Sequence, residues 1–221
     1  MAIIGTILPL ALVVGLSPLP ILPIVLIVMT PGARPNSRTF LIAWLVTLTG
    51  VVLGALAIAG VRNPAPPDEA GIGWIQVVTG AVFLLLAIAK WLRRPAPGTT
   101  SEPPTWMSAL DSYTPRQSAG LGAALAAGNP KNLMMALAAG VEIAAITTSP
   151  GSAAVAVALF VLVGSFGVAT PVAAHRLLGD RAPEVLGRWK AWLEQNSTAL
   201  GVGVLGVLGV LLLVKGLTAA V

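Results

Sequence analysis

Cysteine is absent from the 221 residues, which removes disulfides, thiolate-ligated metals and CxxC redox relays from the chemistry open to this chain. Histidine occurs once, at His175. No imidazole cluster can therefore be assembled for a transition metal, and no metal or other cofactor is expected. Charge is scarce too: Asp, Glu, Lys and Arg together make up 10% of the chain, against about 25% in ordinary globular domains. No GxxxxGK[ST] phosphate loop is present, so nucleotide chemistry of that type is not expected. No convincing Ser/His or carboxylate pair stands out either, and the chain is not expected to be an enzyme.

What is present is apolar. Hydrophobic residues make up 56% of the sequence and the mean hydropathy is +0.90, the composition of an integral membrane protein. The net charge of +5 does not imply a nucleic-acid partner, because the basic residues are dispersed beside apolar runs, where cations set topology. Six runs approach the ~20 residues needed to cross a bilayer core: roughly 3–29, 38–60, 71–92, 118–146, 152–175 and 197–218. The N-terminus has no basic region before its first apolar run and reads as the start of a span, not as a cleaved leader. Irregular backbone and open sheet edges are not satisfied in lipid, so all six runs are expected to be helices.

Arg34, Arg38, Lys90, Arg93, Arg94, Arg116, Arg176, Arg181, Arg188 and Lys190 fall in or beside the first, third and fifth connections. The second offers only Arg62, and the fourth offers none. By the positive-inside rule this places both termini outside a plasma membrane crossed six times. Residues 95–117, rich in Pro, Ser and Thr, read as a cytoplasmic linker between a first three-helix half, 1–94, and a second, 118–221. Trp106, Met107, Leu110 and Tyr113 recur there at helical spacing, as do Val185, Leu186, Trp189, Trp192 and Leu193 in 182–195. Both are expected to lie on the membrane surface.

Three spans per half is an odd number, so the second half must enter the membrane in the opposite direction. Aligning Pro18 with Pro130 makes the halves two inverted repeats, a plan many secondary transporters share. Ser17-Pro18-Leu19-Pro20 breaks the first span and Ala126-Ala127-Gly128-Asn129-Pro130-Lys131-Asn132 the fourth. Ser-Pro and Asn-Pro are also helix starts, with Ser17 or Asn129 at the cap and Pro18 or Pro130 first in the helix. Two half-helix N-termini converging near the midplane, with the Lys131 ammonium between them, would suit an anionic group. The candidate substrate-binding residues are thus Ser17, Pro18, Pro20, Asn129, Pro130, Lys131 and Asn132. Glu142 follows Lys131 by eleven positions, about 16 Å along a helix. That is too far for a direct pair, which leaves it as a candidate coupling carboxylate or an interfacial acid. Gly50 with Gly54, and Gly203, Gly206 and Gly209, are expected to pack helices within the monomer, with a homo-oligomer face as the alternative.

Ser17-Pro18-Leu19-Pro20, Thr30-Pro31-Gly32-Ala33-Arg34-Pro35-Asn36 and Gly128-Asn129-Pro130-Lys131-Asn132-Leu133 together resemble the GAP or Sap family of actinobacterial membrane proteins, within the superfamily of LysE-type exporters. The resemblance covers essentially the whole chain, and Asn-Pro-Lys-Asn is its most specific part. It implies a six-helix inverted-repeat exporter that carries a polar-headed or anionic envelope lipid outward by alternating access. Membrane lipids, and envelope-lipid export machinery, are its implied partners. Two other readings stand beside it: an exporter of amino acids or other small solutes, and a non-transporting scaffold of a lipid-export complex. Where the amino-acid-exporting branch has a Pro-Gly-Pro turn, this chain has Ser-Pro-Leu-Pro.

Overall fold

The computed structural model describes residues 2–62, 69–92, 110–147 and 149–220, and every regular element among them is helical. In chain order these are α1 (Ala2–Gly15), α2 (Pro18–Val28), α3 (Ala33–Arg62), α4 (Glu69–Leu92), a short 3-10 turn (Leu110–Ser112), α5 (Pro115–Ala127), α6 (Pro130–Ile146), α7 (Pro150–Gly164), α8 (Phe166–Leu177), a second short turn (Gly179–Arg181) and α9 (Ala182–Ala220). Two helices are long and apolar enough to cross a membrane, within Ala33–Gly60 and Thr198–Thr218. Two bent pairs, α1 with α2 and α7 with α8, raise the count to four among the described residues. The chain is therefore an all-helical membrane protein, with fewer recognisable spans in these residues than the six hydropathy runs.

Contacts divide the chain into two compact units, 1–62 with 103–194 and 63–102 with 195–221. In the first, α3 is the scaffold. Phe40, Trp44, Leu48 and Val52, each four residues apart, are all fully buried, one ridge of a continuous helix packed on α5 and α6. The register is parallel. Asn36 Nδ2 donates to Tyr113 O at 2.7 Å and Thr39 Oγ1 to Pro115 O at 2.9 Å, while Gly122 lies against Phe40 and Gly140 against Val52 and Ala55. Arg34, Arg38 and Arg116, all exposed, are thereby gathered at one end. In the second unit α4 packs on the later part of α9, where Gly80 meets Gly209 and Leu213.

Proline explains the first break. Pro18 and Pro20 have no N–H to give to the carbonyls of Val14 and Leu16. Ser17 N instead bonds Val14 O at 3.1 Å, α1 stops at Gly15, and α2 leaves at 51° to it. The fourth run breaks at Gly128-Asn129 between α5 and α6, as its motif predicts. The fifth run, read from sequence as one span over 152–175, is two helices that meet at Ser165 with a 62° bend. A Gly164-Ser165 pair is a kinking sequence, and Pro171 leaves the Gly167 carbonyl without its i+4 donor. In the repeat alignment the counterpart of this span is α3, which runs unbroken.

Three further expectations need correction. The 182–195 segment is not a separate surface helix: nothing in Asn196-Ser197-Thr198 breaks a helix, and α9 runs on for 39 residues. Ala182, Leu186 and Leu193 on its first turns are buried in protein, while Trp192 stays exposed, so the segment packs on the protein along one side and does not lie free as a surface helix. Leu110 is likewise buried, against α2, whereas Trp106 and Met107 lie outside the described residues. Among the described residues Gly50 and Gly54 pack against nothing, since no atom lies within 4 Å of where a Cβ would stand on either. The same is true of Gly203 and Gly206; among these glycines the close approach is at Gly209.

Candidate functional site

The breaks of the first and fourth runs come together where α1 packs on α6, and one side chain links them by a hydrogen bond. Because Ser17 N turns to Val14 O, the Val13 carbonyl loses the partner a continuing helix would give it. Lys131 Nζ donates to that oxygen at 2.7 Å. Lys131 is itself half-buried, on the first turn of α6. The ammonium therefore sits at the C-terminal, negative end of α1. Sequence reasoning, which looked only at helix N-termini around Lys131, did not anticipate this contact. The signal was available in Pro18, whose missing N–H implies orphan carbonyls in the turn before it.

The two predicted caps differ. Asn129 is extended at the start of α6 and its side chain accepts from Lys131 N at 3.1 Å. Ser17 occupies the equivalent place before α2, yet makes no capping bond. A cap oxygen takes its bond from the second or third helical N–H, and Pro20, in the third position, has none. Pro18 is half-buried, Pro20 buried and Pro130 exposed. Asn132 is fully buried; its Nδ2 donates to Leu125 O at 3.2 Å, tying the start of α6 to the last turn of α5. Its Oδ1 is buried without a hydrogen-bond partner. Glu142 is half-buried, three turns further along α6.

A third break joins these two. Ser165, 2% exposed, accepts from the Trp44 indole at 3.1 Å inside the protein, so the central helix α3 holds the α7–α8 bend directly. The Gly15 carbonyl touches Gly167, and Gly15 itself packs on the Val163 carbonyl, which a Cβ would approach to 2.5 Å. Only glycine admits backbones this close. Trp44, Ser165, Gly15 and Gly167 were not identified from sequence, because a buried indole, a serine and two glycines carry no motif outside the contact they make. His175 is half-buried near the end of α8. Among the described residues no group of three His, Cys, Asp or Glu side chains is placed to hold a metal ion.

The arrangement is a seam of three helix breaks that offers an ammonium, an amide and freed backbone carbonyls within apolar surroundings. Such a seam can exchange backbone acceptors for those of a ligand.

A family model described as Sap, sulfolipid-1-addressing protein, matches residues 7–218. No curated protein and no solved structure matches the chain.

Proposed function

The chain belongs to the family described as Sap, sulfolipid-1-addressing protein, and from that premise we propose that it moves a polar-headed, anionic envelope lipid outward across the plasma membrane. The observation that carries the reading is the Lys131 ammonium, half-buried at the junction of two broken helices with a backbone carbonyl, Val13 O, as acceptor. Ionised acceptors make hydrogen bonds roughly twice as strong as neutral ones, so a sulfate, phosphate or carboxylate headgroup competes well for that ammonium. The unpartnered Oδ1 of Asn132 supplies an acceptor for a headgroup hydroxyl.

Exchange of Val13 O for the headgroup removes the hydrogen bond that links α1 to the start of α6 and leaves only their packing contact. The bends at Ser17 and Ser165 then give the chain hinges for alternating access, within a six-span inverted-repeat plan of the LysE type with both termini outside. Lipid tails need no polar path, since they travel in the bilayer. With no phosphate-binding loop in the sequence, the driving force comes from a gradient, with Glu142 as the candidate coupling carboxylate, or from export machinery acting as a partner.

The test is surface display of anionic glycolipid in cells carrying Lys131 variants. Lys131→Met removes the charge and is expected to abolish display, while Lys131→Arg retains part of it, both at wild-type abundance in the membrane. Undiminished display by a well-folded Lys131→Met protein would return Lys131 to a purely structural role as the cap of α1.

A further inference from the structure

Beside the polar seam lies a cleft that the headgroup chemistry does not use. It measures about 410 Å³ and is walled by Leu16, Ile21, Phe166, Thr170, Trp189 and Trp192, at the point where the α1–α2 and α7–α8 breaks meet the first turns of α9. The Gly15 and Gly167 backbones form its floor. The one hydroxyl in the wall, Thr170 Oγ1, already donates to Phe166 O at 2.6 Å, which leaves the lining apolar. Such a wall is stabilised by an apolar occupant and not by a polar solute.

Size and charge narrow the occupant. A cleft of 410 Å³ is about the volume of a single turn of helix, taking a 5.4 Å pitch and a diameter of 10 Å. That is too short a seat for a partner helix, but it suits the narrower body of a hydrocarbon tail. The segment that supplies Trp189 and Trp192 carries Arg188 and Lys190 among the acids Glu184 and Glu194, with Arg176, Asp180 and Arg181 just before it, so a small positive excess lies at this end of the cleft. Arg188 is mostly exposed, and its contact with Glu184, at 3.8 Å between two exposed side chains, holds it weakly. Paired indoles flanked by cations are the arrangement that seats a lipid at the interface with its anionic headgroup outermost.

We infer that this cleft binds one acyl chain of an anionic membrane lipid, with the headgroup held by the exposed Arg188 beside the two indoles. The site is separate from Lys131, and binding there stands without export. Only the passage of the same lipid on to Lys131 rests on the exporter reading.

The probe is phosphatidylglycerol with a diazirine in mid-chain, at low fraction in phosphatidylcholine vesicles that contain the full chain. Irradiation is expected to label Leu16, Phe166 and Trp189 in a saturable way that excess unlabelled phosphatidylglycerol displaces. That labelling should be lost in Thr170→Trp and in Leu16→Trp, each of which fills the cleft, whereas Leu85 on α4 stays labelled without saturation. Leu85 is 65% exposed and Phe166 66%, so exposure alone predicts equal marking of the two. Equal, non-saturable marking in the wild-type chain overturns the inference, whatever the variants do. Equal labelling by a diazirine phosphatidylcholine overturns it too, because the headgroup is then not recognised. Loss of export in a chain that still labels saturably counts against the exporter reading alone.

Discussion

Lysine in apolar surroundings needs an acceptor for its ammonium, and here proline creates one. Pro18 has no N–H, Ser17 N turns back to Val14 O, and the Val13 carbonyl is left for Lys131. A hydrogen bond to a charged group contributes about 1.5–3 kcal/mol net, enough to hold two broken helices together yet small enough for a charged ligand to displace. The caps on either side differ in the same local way. Asn129→Ala removes a capping bond at the start of α6 and is expected to lower stability by about 1 kcal/mol. Ser17→Ala, which removes no such bond, is expected to cost clearly less. Thermal unfolding of the two variants in one detergent ranks them, and an equal or larger loss at Ser17 would mean that its buried hydroxyl has a role beyond the cap.

At the scale of elements, glycine decides which helices can cross closely. Gly167→Ala drives a methyl group into the Gly15 carbonyl, and a marked drop in melting temperature is expected. Gly50→Ala, on an open stretch of α3, is expected to be neutral or to stabilise by up to about 1 kcal/mol through helix propensity. The same melting series reads both, and a destabilised Gly50→Ala protein would place an unrecognised packing surface on that face. The two proline breaks were legible in the sequence because Ser-Pro and Asn-Pro carry a local mechanism. The same signature at Thr114-Pro115 and Ser149-Pro150, where caps also form, would have set the starts of α5 and α7 correctly. The Ser165 break had local cues in Gly164-Ser165 and Pro171 that the hydropathy run concealed, while its place in the core, against Gly15 and Trp44, was not legible because those residues are distant in sequence. The continuity of α9 was hidden for another reason, since a Trp-rich amphipathic stretch has the same pattern whether it packs on protein or on lipid.

For the whole molecule, α3 lies parallel to α5 and α6 and binds the Ser165 bend through Trp44, so the three breaks share one rigid support. The proposed outward movement of a headgroup past Lys131 would use that shared support to carry a change at one break to the others. The most direct measurement is lipid translocation by the purified chain alone. Vesicles holding a fluorescent anionic lipid in the inner leaflet are challenged from outside with a membrane-impermeant quencher, with and without the protein. The account predicts faster exposure of the anionic lipid than in protein-free vesicles, slower for its zwitterionic counterpart, lost in Lys131→Met and partly retained in Lys131→Arg. Equally fast exposure with Lys131→Met would contradict the role of Lys131, and exposure no faster than in protein-free vesicles would contradict transport by the chain without export machinery.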